Sequence, residues 1–236
     1  MKRFWDTAAA AAEDAGWGVK LDGRPVRLPG GGPLLLPSRV LAEAIAAEWQ
    51  AAGGHKGGAM SYADVPLTRL AGTAQDRIAP DLEPVILEIA RYGETDLLCY
   101  RADLPEALAE RQARHWQPWL DWTEQRHGAK LKVTTGIVHV RQDAAALAAL
   151  AAAVAELGVL RLAALGIVVP ALGSLVLGLA LADGALGPEA ACDAAMVDEI
   201  FQEELWGSDD EASARRANVR TDIGHAGHFL ALMRQA

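Results

Sequence analysis

From Leu162 to Ala182 the chain carries twenty-one residues in a row, LAALGIVVPALGSLVLGLALA, with no charged side chain. A single helix of that length would span about 30 Å, enough to cross a bilayer. This stretch therefore decides between a membrane protein and a domain with a large helical core. Pro170 lies near its middle, where proline removes a backbone hydrogen bond and clashes with the preceding turn. Gly166, Gly173, Ser174 and Gly178 offer small surfaces for close helix contact. Arg161 and Asp183 bound the stretch, it has no interfacial Trp or Tyr, and no second span accompanies it. The expectation is a pair of buried helices broken near Pro170 and surrounded by other helices. A membrane-associated factor is the alternative.

The remaining composition suits the globular reading. At 236 residues with 51% hydrophobic content, the chain has enough apolar material for one large domain or two small ones. Its net charge of −9 argues against a nucleic-acid binder and allows a basic partner surface. Cys99 and Cys192 are too few for a zinc quartet or a disulfide framework, which points to a reducing compartment. Met1-Lys2-Arg3 and the alanine run that follows imitate a secretion signal, but Asp6, Glu13 and Asp14 interrupt the apolar segment such a signal needs. A cytoplasmic protein is the expectation.

Residues 17–28 carry the clearest β pattern. Trp17, Val19 and Leu21 alternate before Asp22-Gly23, and Val26 and Leu28 after it, so a two-residue turn would pair Leu21 with Arg24, Val19 with Val26 and Trp17 with Leu28. Ser38 is placed to cap a helix through Leu41, Ile45, Glu48 and Trp49, the natural cover for the hairpin face that includes Val19 and Leu21. Gly53-Gly54-His55-Lys56-Gly57-Gly58 lacks the Ser or Thr of a phosphate loop and reads as a flexible connection. Helices are expected over 66–77 and 80–92, and a further strand within 131–140. In 105–127 an amphipathic helix, kinked at Pro118, places Leu108, Gln112, His115, Trp119 and Trp122 on one side. Trp119 and Trp122 are therefore core residues, and Trp116 widens that side. The fold class is α+β: a strand-rich N-terminal domain over 1–78 with a β-hairpin and covering helix, then a larger all-helical domain over 79–236.

Chemistry is scarce. Asp222, His225 and His228 follow one another at three-residue steps and could approach a metal from one helix, which makes a metal-assisted enzyme one alternative and a surface or capping role the other. After Gly187, the stripe Ala190, Ala194, Val197, Phe201 and Leu205 leaves Glu199, Gln202, Glu203 and Trp206 on the opposite face. Seven acidic residues lie between Asp198 and Glu211 with no Lys or Arg among them. Periodicity serves a solvated face and a partner-binding face with an aromatic anchor equally well.

Several stretches together resemble a known family. They are Leu21-Asp22-Gly23-Arg24-Pro25; Pro37-Ser38 with Leu41-Ala42 and Ile45, Ala46, Glu48, Trp49; Pro66-Leu67-Thr68 with Leu70; and Thr95-Asp96-Leu97-Leu98 with Tyr100. Gln112, Trp116, Pro118 and Trp122 follow, then Gly173-Ser174, Asp198-Glu199, Phe201-Gln202 and Trp206-Gly207. In order and spacing the set resembles the assembly chaperones of the ATP synthase catalytic sector, the type that binds the free alpha subunit. Gln50, Ala52 and Val65 depart from the family's pattern. The resemblance implies no turnover, no cofactor and no small-molecule substrate, with the alpha subunit as partner and neither nucleic acid nor stable membrane insertion. Relatives in eukaryotes work in the mitochondrial matrix. Asp198, Glu199, Gln202, Glu203 and Trp206 become the expected partner-binding set, and Trp49 a structural residue.

Overall fold

A computed structural model describes residues 1–235. By its internal contacts the chain forms two compact units, one of residues 1–82 with 159–164 and 228–235, the other of 83–158 with 165–227. The architecture is α+β, a small antiparallel sheet with a helix followed by mostly helical structure.

In the first unit, β1 (Ala8–Glu13), β2 (Gly16–Leu21) and β3 (Arg24–Pro25) form the sheet in that order. Asp22 and Gly23, at φ 47° and 80°, make the two-residue turn, and Leu21 stands opposite Arg24 as the pattern requires. The Val26 amide donates to the Val19 carbonyl at 2.8 Å, continuing that register. Trp17, however, pairs with Leu36 and not with Leu28. Pro29 has no N–H to extend the ladder, and the three glycines after it turn the chain back, so Leu28 bonds to Gly32. The alanine run, which imitated a signal segment, is β1 itself, with Ala8 opposite Leu21 and Ala12 opposite Trp17.

Helix α1 (Arg39–Ala51) begins at Ser38, whose hydroxyl accepts from the Leu41 amide, and it packs on β1 and β2 through Leu41, Ala42, Ile45, Ala46 and Trp49. The glycine-rich turn after it is not a loose connection. The Arg3 amide donates to the Gly58 carbonyl and the Arg3 carbonyl accepts from the Gly57 amide, Lys56 pairs with Asp6, and the buried Arg3 guanidinium donates to the carbonyls of Gln50, Ala52 and Gly54. Helix α2 (Pro66–Thr73) follows and runs into one π-helical turn over Ala74–Ile78.

The matching stretches around Glu48-Trp49 and Pro66-Leu67-Thr68 meet here. The Glu48 carboxylate accepts from the amides of Leu67 and Thr68 and from the Thr68 hydroxyl, at 2.6–2.9 Å, capping the orphan donors of α2. Burial pushes its carboxyl up, and those hydrogen bonds pull it back. The buried Trp49 indole donates to the same hydroxyl at 2.7 Å and packs edge-on against Trp5 at 5.2 Å.

The second unit holds α3 (Glu83–Ala90), a two-residue strand β4 (Tyr100–Arg101), α4 (Glu106–His127), β5 (Thr134–Thr135) and α5 (Ala144–Ala155). The strand expected within 131–140 shrinks to β5, which pairs in parallel with β4. Helix α4 runs unbroken through Pro118. Its buried line is Leu108, Gln112, Trp116, Leu120 and Thr123, with His115 exposed and Trp119 and Trp122 only half-buried. The apolar side is thus rotated by about one position, because Trp116 and Leu120 meet the neighbouring helices.

Helices α6 (Gly158–Leu172) and α7 (Leu175–Asp183) hold the long apolar stretch. The break falls at Gly173, φ 63°, not at Pro170, which the helix accommodates on its exposed side. No described helix is long and apolar enough to cross a membrane. Gly178 lies where a Cβ would stand 2.5 Å from Val169, so the two helices approach backbone to side chain. Asp96, fully buried, caps α7: one oxygen accepts from the Val176 amide at 3.0 Å, the other from the Ser174 hydroxyl at 2.8 Å and the Leu98 amide at 3.1 Å. Ser174 in turn accepts from the Leu177 amide. Thr95-Asp96-Leu97-Leu98 and Gly173-Ser174, far apart in sequence, are one capping assembly.

Candidate functional site

The segment after Gly187 was expected to be one helix. It is two, α8 (Pro188–Ala195) and α9 (Val197–Trp206), hinged at Met196, and α10 (Asp210–Arg234) follows after Gly207. The hinge breaks the stripe. Ala194, Val197 and Phe201 are buried, whereas Ala190 and Leu205 are exposed because each lies at an outer end of its own short helix.

Two buried groups of α4 hold this region. The Trp116 indole donates to the Ala194 carbonyl at 2.7 Å. Gln112, 1% exposed, accepts from the Ala102 amide and donates to Asp198 Oδ1 at 2.6 Å. Asp198, one of the expected partner-binding residues, is therefore engaged within the fold.

The other four stay together on the outer side of α9. Glu199, Gln202, Glu203 and Trp206 line a surface cavity of about 240 Å³ with Arg215 and Arg216 of α10. A second cavity, about 550 Å³, shares Glu199, Arg215 and Arg216 and extends past Met196 to Gly173 and Pro170. Trp206 is 78% exposed. The carboxylates that lack basic neighbours in sequence do not lack them in space. Arg216 pairs closely with Glu203, and Arg111 grips Glu204 through both oxygens at 2.8–2.9 Å, holding that carboxyl below its usual range. Glu199 is the loosest, 3.8 Å from Arg215 with both side chains well exposed. What the sequence conceals is the antiparallel return of α10. The run Arg215-Arg216 and Arg220, one helical segment beyond the acidic stretch, is the signal that a turn at Gly207 would fold back upon it.

Asp222, His225 and His228 do not form a metal site. Each three-residue step turns about −60°, leaving the ends about 120° apart on α10. Among the described residues no group of three or more His, Cys, Asp or Glu is placed to hold a metal.

The family model for the ATP12 chaperone protein matches residues 2–124. The mitochondrial protein atp12 of Schizosaccharomyces pombe is 24% identical over 223 residues, 90% of this chain and 76% of that protein. Two solved structures of Atp12 from Paracoccus denitrificans, one a point mutant, superpose with a TM-score of 0.92 at 42% and 41% identity, over 98% of this chain and 97% of theirs. A protein of Agrobacterium tumefaciens superposes with a TM-score of 0.90 at 38% identity, over 100% of this chain and 86% of its own. The class that the fold and these likenesses define is a non-enzymatic chaperone. The chain belongs to the ATP12 chaperone family, assembly factors of the ATP synthase.

Proposed function

We propose that the chaperone binds the free alpha subunit of the ATP synthase catalytic sector and masks its beta-facing surface until beta displaces it. An unassembled subunit exposes a patch meant for its neighbour, and such patches promote aggregation and wrong pairing. A reversible cover needs a modest, largely polar contact with few aromatic anchors. The observation that carries the reading is the outer face of α9, where the exposed Trp206 and the loosely held Glu199 border one cavity. Aromatics are enriched at such contacts, and a carboxylate without a tight internal partner is available to a basic or donor group of the client. Gln202 and Glu203 supply the polar surround. Asp198 acts through Gln112, positioning α9. Displacement by beta drives release, so no nucleotide is consumed. The setting proposed is the bacterial cytoplasm.

The test is capture of purified alpha subunit by immobilised chaperone. The Glu199–Arg215 pair, exposed and long, contributes about 0–1 kcal/mol to folding. Glu199→Lys should therefore keep its circular dichroism and melting temperature while losing on the order of 2–5 kcal/mol of binding, the scale for a desolvated charge pair. Full capture by the folded variant removes Glu199 from the interface.

A further inference from the structure

The first unit has a cavity of its own, about 330 Å³, far in sequence from α9 and of the opposite character. Leu28, Pro29, Trp49 and Gly72 make its floor, and Arg27, Arg69 and Arg77 stand around it. Gly72 contributes no side chain, and a Cβ there would lie 3.0 Å from Leu28, so the floor is a close contact between α2 and the Leu28 loop. The exposed Tyr62 adds an aromatic wall.

The arginines here differ from six in the second unit. In the second unit Arg111, Arg114, Arg126, Arg215, Arg216 and Arg220 each face a carboxylate. The exposed side chains of Arg69 and Arg77 make no hydrogen bond or ion pair among the described residues, and the Arg27 side chain donates only to the Gly31 carbonyl. One carboxylate, Asp76, also lines the cavity. It accepts from the Gly30 amide at 2.9 Å, a position it reaches because the chain leaves α2 in a π-helical turn, closed by the Ala79 amide on the Ala74 carbonyl. Such turns are frequent at functional sites. Three guanidinium groups around an apolar floor, against one committed carboxylate, leave an excess of positive charge in a chain whose net charge is −9.

We propose that this cavity is a docking site for a short polypeptide segment in which an apolar side chain is flanked by carboxylates. The floor takes the apolar group out of water, and the arginines meet the carboxylates with forked donors. A small anion would leave the floor wet, and an apolar segment without charge would leave the guanidinium groups unmatched. The net charge of −9 disfavours such a segment over the molecule as a whole, so the three arginines set this place apart locally.

The test is fluorescence anisotropy of a labelled, end-blocked peptide with a central phenylalanine flanked by aspartates, against the same peptide with lysines in their place. The aspartate peptide should bind saturably, more weakly at high salt, and the lysine peptide not at all. In the double variant Arg69→Glu, Arg77→Glu, both positions being exposed, affinity should fall roughly tenfold or more with melting unchanged. Thr73→Trp, which fills the cavity and keeps the arginines, should also abolish binding. Equal affinity for the two peptides, or unchanged affinity in the double variant, overturns the proposal. Retained affinity in Thr73→Trp overturns the cavity as the site. No alpha subunit is present in this experiment, so its failure is separate from failure of the capture test above.

Discussion

Trp49 and Asp96 each hold their surroundings with a single polar contact set, and each makes a measurable prediction. Trp49 is buried, packs on Trp5 and donates to the hydroxyl that also serves Glu48. Trp49→Ala should cost about 3–5 kcal/mol and lower the melting temperature, because it opens a cavity and removes a donor from a buried network. An unchanged melting curve would reject that role. Asp96 is pushed up to about 6 by burial, against the pull of the Val176 and Leu98 amides and the Ser174 hydroxyl. With its folded value above the ordinary 3.8, the native state holds the proton more tightly than the unfolded chain. The contribution of this group is full below about pH 4 and is lost as pH rises toward about 6. Stability from this source should fall on the order of 2–3 kcal/mol across that window. Denaturant titrations of the wild type and Asp96→Asn at several pH values check it, since asparagine does not titrate and the difference between the two should change only there.

At the scale of elements, the instructive pair is α6 and α7. Pro170 sits on an exposed turn and its helix continues, whereas Gly173 takes the left-handed conformation that ends it. Gly173→Ala should therefore destabilise by about 1–2 kcal/mol, the cost of a Cβ in that region, while Pro170→Ala should be neutral or slightly stabilising because it restores a helix bond. Thermal unfolding of the two variants separates a glycine stop from a proline stop, and equal losses would refute the assignment. The same reasoning explains β1. Alanine favours helix by intrinsic preference, but Ala8–Glu13 pairs along the whole of β2 and lies under α1, so tertiary contacts override the local tendency.

For the whole molecule, binding and not turnover is the activity to be measured. Asp198, Glu199, Gln202, Glu203 and Trp206 divide into one residue that fastens α9 to Gln112, one, Glu203, that is paired with Arg216, and three that face outward without a tight partner. Alpha held by the wild-type chaperone should be released by added beta without nucleotide hydrolysis, as native gels of the mixture would record. Retention of alpha in the presence of excess beta would contradict masking of the beta-facing surface.

Much of this was legible in the sequence where one short period or one capping residue settles the outcome locally. The Asp22-Gly23 turn, the Ser38 cap, the buried face of α1 and the helical core between Leu162 and Ala182 are of that kind. The ordered recurrence of matching stretches also placed the family, because together they outweigh any one of them. Other features depend on which distant groups meet. The break at Gly173 instead of Pro170, the rotation of α4 onto Trp116, the capping of α7 by Asp96 and the arginines opposite the acidic run all arise from packing between segments far apart in sequence. A carboxylate's role follows from its partner: Asp198 and Glu199 are neighbours in the chain, yet one is held by a buried glutamine and the other meets Arg215 only at 3.8 Å on an exposed face. Periodicity assigns a side chain to a face, but only the tertiary structure decides what that face meets.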